Sequence, residues 1–174
     1  MVDVHRFRAI MGSFPAGVVV VTAIDADGEP RGLTGTAMCS VSAEPPLLLI
    51  CVDRSSNTLS ALRHSRAFVV NILSSDAEHI SQRFASKDKR KFDGLPWRPS
   101  EIADGAPIVE EHCTAYAECR CVEEIEAGDH IVFIARVEGG DVMAGGAPLV
   151  FRRGIYRAWS ALPATRGETV ELPV

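Results

Sequence analysis

Three groups of residues in this chain have the types and spacing to hold an anionic ligand with a planar part. The first runs from Gly32 to Asp53, GLTGTAMCSVSAEPPLLLICVD. Small hydroxylated residues and glycine fill its first half, Pro45-Pro46 interrupts it, and the apolar run Leu47 to Val52 follows. Such a segment beside a buried strand presents hydroxyls and N–H groups to a phosphate or a ring while the strand holds them still. The second group is the basic turn SKDKRKFDGLPW, in which Lys and Arg side chains from Lys87 to Lys91 lie between Phe84 and the aromatics Phe92 and Trp97. Cations beside aromatic rings suit an anion with a planar part, and a simply solvated turn is the other reading of the same residues. The third is His130, which follows Gly128-Asp129 at the mouth of an apolar strand. A turn there either aims the imidazole into a pocket or uses it structurally. His5, His64, His79 and His112 read as surface residues of helices and loops.

Other chemistries lack their residues. Cys119 and Cys121 lie two apart on a strand and share a face, but no C-x-x-C or finger-spaced histidine joins them, so core packing is expected and no metal. There is no G-x-x-x-x-G-K-[ST] and no G-x-G-x-x-G opening a helix, so a nicotinamide cofactor would bind without a Rossmann unit. The net charge of −5 offers no basic face to nucleic acid or an anionic membrane, and neither partner is expected. Five cysteines, an odd number, without a signal-peptide pattern at the N-terminus predict reduced thiols and a cytoplasmic protein. No stretch has the apolar length of a membrane-spanning helix.

The elements that position these groups follow from hydrophobic periodicity. With 174 residues, 47% of them hydrophobic, the chain is expected to form one domain over 1–174, its core at about 7–159 and a polar tail at 160–174. Val4, Phe7, Ile10 and Met11 recur at helical spacing, so the first dozen residues predict a short helix. Val18–Ile24 reads as a buried strand, and Asp27-Gly28 as a hairpin turn into a partner through Gly32-Leu33-Thr34. Further strands are expected at Leu47–Val52, Ala67–Leu73, Thr114–Val122, the run IVFIARVEGG after His130, and Leu149–Tyr156. Short helices are expected at Thr58–His64 and, capped by Ser74-Ser75-Asp76, at Ala77–Phe84. Gly139 to Gly146 reads as a glycine-rich loop. Short connections make the sheet antiparallel, and the whole predicts a mainly β domain, a β-barrel with a few short helices.

Four stretches in order, FPAGVVVVTA (14–23), GLTGTAMCSVSAEPPLLLICV (32–52), RFASKDKRKFDGLPW (83–97) and GDH (128–130) with the terminal PLVFRRGIY, resemble the flavin reductase family built on the FMN-binding split barrel. These are the reductase components of two-component flavin-dependent monooxygenases. The resemblance runs from about Phe7 to Trp159 and implies an antiparallel, Greek-key-like split barrel. It also implies an NAD(P)H:flavin oxidoreductase that reduces FMN or FAD with NADH or NADPH, forms a homodimer, and passes reduced flavin by diffusion to a separate oxygenase. By position, Thr34, Gly35, Thr36 and Ala37 match the segment lining the isoalloxazine edge and beginning the phosphate cradle, followed by Ser40, Val41 and Ser42. Members often carry Asn-Ser where this chain has Thr36-Ala37. Cys51, Val52 and Asp53 match the strand end beside the ring, and Ser55 and Asn57 the ribityl phosphate contacts. Phe84, Ala85, Lys91 and Phe92 match the basic-aromatic turn, His130 the histidine near the nicotinamide, and Arg153 and Tyr156, more weakly, a segment that closes over the cofactors. Two other functions stay open at this point: an oxidoreductase holding FMN as a prosthetic group, and a flavin-binding module without turnover.

Overall fold

The computed structural model describes residues 1–144 and 146–159. Helix α1 (Val4–Met11) is started by Asp3, whose carboxylate accepts the Arg6 N–H at 2.8 Å. The chain then forms β1 (Ala16–Gly17), β2 (Val19–Ile24), β3 (Pro30–Gly35), β4 (Met38–Ala43) and β5 (Pro46–Asp53). After α2 (Leu59–Ser65) come β6 (Ala67–Leu73), α3 (Glu78–Ala85), and the two-residue strands β7 (Arg98–Pro99) and β8 (Pro107–Ile108). The long strands β9 (Cys113–Ala127) and β10 (His130–Val142) follow, then β11 (Leu149–Arg152) and β12 (Ile155–Ala158).

The principal sheet has seven strands in the order β3-β2-β6-β9-β10-β5-β4, every neighbouring pair antiparallel. Its two edges, β3 and β4, are joined by Thr36 and Ala37 alone. A link that short spans about 10 Å at most, so the sheet curls until its edges meet. The result is a barrel left open along the seam between β3 and β4, and the Ala37 carbonyl accepts the Cys51 N–H at 2.9 Å, continuing the β4–β5 ladder up to it.

Burial explains why the strands read as they do. Val19, Val21 and Ala23 point into the barrel with Ile50, Val52, Phe68, Val70, Cys119, Ile131 and Phe133. Val18 and Val20 point outward against Ile80, Phe84, Leu73 and Leu149. Helix α3 and β11 cover that outer face, so β2 is a continuous β-branched run instead of an alternating one. Each such side chain contributes about 1.5–3 kcal/mol by leaving water. Asn71, fully buried, ties β6 to its neighbours by donating to the Val20 carbonyl at 3.1 Å and accepting the Val109 N–H at 3.0 Å.

Three expectations are corrected. Gly139–Gly146 is not a loop from its start, because β10 continues to Val142. A Cβ at Gly139 would lie 2.4 Å from the Ile102 side chain and one at Gly140 2.3 Å from the Tyr116 carbonyl, so Gly139 admits the segment between β7 and β8 and Gly140 the neighbouring strand β9. Leu149–Tyr156 is two strands, not one: Arg153 and Gly154, at φ of 50° and 81°, turn β11 into β12. Helix α3 begins after Ala77, and the Ser74 hydroxyl donates to Asp76 at 2.5 Å instead of capping it. The tail at 160–174 lies outside the described residues.

Candidate active site at the barrel seam

The seam opens as a cleft of ≈ 300 Å³. Its floor and one wall are Thr34, Gly35, Thr36 and Ala37, which leave β3 for β4, with Cys51 and Asp53 from the end of β5. The turn after β5 adds Ser55 and Asn57, the end of α3 adds Phe84 and Ala85, and Lys91 and His130 complete it. Residues separated by almost a hundred positions thus converge because the barrel is split here.

The seam also leaves donors without partners. Thr36 and Ala37 belong to neither strand, and among the described residues their N–H groups have no acceptor. The same holds for the N–H and side chain of Asn57. Three unpaired N–H groups and an amide, all on residues that line one cleft, supply donors suited to the oxygens of an anion or a polarised carbonyl. Lys87 adds positive charge, its Nζ donating to the Ser55 carbonyl at 3.3 Å. Hydrogen bonds from Ser55 hold the Asp53 carboxyl below the usual carboxylate range, aided by the nearby His130 and Lys87, and the Ser55 N–H lies 2.7 Å from it.

Lys91 has a different part. Its Nζ donates to the carbonyls of Gly32 at 3.0 Å and Phe84 at 2.7 Å, clamping β3 to the end of α3, and burial pushes its ammonium pKa down. Phe84 is fully buried, packed edge-to-face on Phe92 at 5.0 Å, so it offers the cleft main chain more than ring. The Phe84 ring occupies the space a side chain at position 32 would need.

His130 pairs with Asp53 in the β5–β10 ladder and is half exposed. Its Nδ1 lies 2.8 Å from the Asp129 carboxylate, whose own pKa is lowered by that hydrogen bond. A carboxylate only accepts, so Nδ1 carries a hydrogen and donates it to Asp129, which fixes the orientation of the ring.

Not every residue expected at the site reaches the cleft. Val52 points into the barrel core, 1% exposed. Ser40, Val41 and Ser42 lie further along the edge strand β4, where a bulge separates Ser40 from Ser42. Phe92 lines an adjoining cleft. The Tyr156 hydroxyl lies 2.9 Å from the Ser81 hydroxyl behind α3, and Arg153 donates to the Ser13 hydroxyl at 2.8 Å beside α1. Leu33, Ser56 and Ser86 line the cleft unforeseen, each beside an expected residue, and Lys87 of the basic turn joins them.

A split barrel that gathers free main-chain donors, a basic turn and one oriented histidine in its seam defines a nucleotide-cofactor-binding class. Residues 11–160 match the family model described as Flavin reductase like domain. The chain is 42% identical over 165 residues to the flavin reductase (NADH) of Kitasatospora aureofaciens, across 91% of this chain and 83% of that protein. It is 38% identical over 157 residues to HsaB, a flavin-dependent monooxygenase reductase subunit of Mycobacterium tuberculosis H37Rv, across 89% of this chain and 82% of that protein. Among solved structures, the NADH:FAD oxidoreductase SgcE6 of Streptomyces globisporus C-1027, in complex with NAD and FAD fragments, aligns with a TM-score of 0.84 at 32% identity. That alignment covers 94% of this chain and 95% of that one. The chain belongs to the flavin reductase family.

Proposed function

We propose that the protein is an NAD(P)H:flavin oxidoreductase whose reduced flavin leaves for a separate flavin-dependent oxygenase. The observation that carries the reading is the convergence of free N–H donors, the Ser55–Asn57 turn and His130 on one cleft. When bound there, FMN or FAD supplies the hydride-accepting ring and NADH or NADPH the hydride. The chain's own groups position and polarise. Thr36 and Ala37 donate N–H groups to the oxygen edge of the ring, where negative charge accumulates on reduction. Ser55, Asn57 and Lys87 hold the ribityl phosphate. His130, its Nδ1 fixed by Asp129, accepts the carboxamide N–H of the nicotinamide at Nε2 and orients that ring for transfer. No protein nucleophile is needed.

A homodimer completes the reading. Helix α1 buries none of its residues, and Val4, Phe7, Ile10, Met11 and Phe14 together present an apolar surface that a second copy covers. The five unpaired thiols suit a reducing, cytoplasmic compartment. No described helix is long and apolar enough to cross a membrane. The partner is a monooxygenase component, as the relationship to the HsaB reductase subunit supports. The test is steady-state oxidation of NADH or NADPH by purified protein with FMN or FAD added. Turnover that depends on added flavin is expected, and no turnover with any of the four pairs overturns the reading.

A further inference from the structure

A second cleft, of ≈ 350 Å³, adjoins the seam cleft and shares Asn57 and Lys91 with it. We propose that this second cleft holds the adenylate half of FAD, which makes the dinucleotide the preferred flavin. The inference rests on the flavin-reductase reading of the seam cleft and adds which flavin it takes and which residues decide it.

The size of the clefts argues first. Ligand pockets run from about 300 to 1,000 Å³, so the seam cleft alone sits at the small end, suited to part of a dinucleotide. The junction argues second. The clefts meet at Asn57 and Lys91, and Asn57 belongs to the turn assigned above to the ribityl phosphate. In FAD the adenylate is attached to that phosphate, so the ligand's continuation and the cavity's continuation coincide.

The lining argues third. Phe92 is half-buried, braced edge-to-face by Phe84 at 5.0 Å and Trp97 at 6.1 Å, and offers a fixed ring for a base to stack on. Lys89 lines the cleft with no hydrogen-bond or ion-pair partner among the described residues. The two acids in the lining are engaged: Asp25 accepts Arg31 at 2.7 Å, and Asp88 accepts the Arg90 N–H at 2.9 Å. The balance facing a second phosphate is therefore positive.

The test uses the full chain and measures Kd for FAD, FMN and AMP. Ser60 lines only the second cleft, from an exposed position on α2, so Ser60→Trp fills the cleft without touching the core. Ser60→Trp should raise the ratio of the FAD Kd to the FMN Kd by about 10-fold, the scale of losing one base–aromatic stack. Lys89→Glu should move the ratio in the same direction. AMP should compete with FAD and bind alongside FMN. An unchanged ratio in both variants overturns the proposal, as does a Ser60→Trp effect confined to the KM for NADH, which would give the cleft to the nicotinamide dinucleotide. Failure of the parent protein to bind either flavin overturns the flavin-reductase reading itself. Tight FMN binding with an FAD affinity no higher overturns only the assignment of the second cleft.

Discussion

Gly32→Ala tests how the wall of the seam cleft is built. A Cβ at position 32 would lie 2.6 Å from Cε1 and 2.7 Å from Cδ1 of Phe84, and 3.4 Å from Cζ of Phe92. Phe84 is fully buried and held by Phe92 and the α3 core, so its ring must retreat by about 1 Å into a region packed at crystal-like density. Overpacking of this kind costs about 1–3 kcal/mol. At this chain length that corresponds to a fall in Tm of about 3–10 °C. The strain is transmitted, because Lys91 grips the carbonyls of both Gly32 and Phe84, and the flavin Kd should rise with it. The assay pairs urea unfolding with flavin titration. Gly17→Ala is the control: no atom stands within 4 Å of its Cβ, and its stability should stay within about 0.5 kcal/mol of the parent. Adding Phe84→Leu to Gly32→Ala should cost less than the two single effects together, since the smaller side chain makes room. A Gly32→Ala protein as stable as the Gly17→Ala control would refute the argument that Phe84 occupies the space above Gly32.

Other outcomes follow from the same geometry. His130→Ala should weaken the use of NADH, lowering kcat/KM about 3–10-fold for one lost hydrogen bond while the flavin Kd holds, and an unchanged NADH dependence would remove His130 from the mechanism. Burial pushes the Cys113 thiol up to about 11 and the Cys119 thiol up to about 12. Folded-state values above the ordinary thiol range mean that this burial stabilises the fold below that range and is lost as pH rises through it. Maleimide at neutral pH should therefore label exposed Cys39 readily and leave Cys113 and Cys119 silent until the chain unfolds. Labelling of all five at equal rates in native protein would contradict it.

Much of this was legible in the residues, and the exceptions have physical causes. β6 spans the expected Ala67–Leu73, because a β-branched run buried on both faces has no other stable home. His130 stands at the cleft because a Gly128 turn, at φ 63°, carries it to the end of the β5–β10 ladder. Convergence of the seam could not be read locally: it depends on β3 and β4 being opposite edges of one sheet, a property of strand order. Glycine misled where its signal is ambiguous, since Gly140 permits close approach of the β9 main chain and Gly139 leaves room for the Ile102 side chain instead of ending a strand. The β11–β12 turn was missed because Arg153-Gly154 is a weaker hairpin signal than Asn-Gly or Asp-Gly, although Arg153 takes the same positive φ. Val52 was expected beside the ring with its neighbours Cys51 and Asp53, and strand alternation sends its side chain to the opposite face, into the core.

The central claim is that the free main-chain donors of the seam hold the flavin. It is tested most directly by following backbone amide resonances of the full chain during titration with FMN. Large shifts are expected at Thr36, Ala37, Ser55 and Asn57, a smaller one at His130, and none in the β11–β12 hairpin, whose Tyr156 packs behind α3. Shifts centred on that hairpin or on α1, with the amides of Thr36 and Ala37 unmoved, would contradict it.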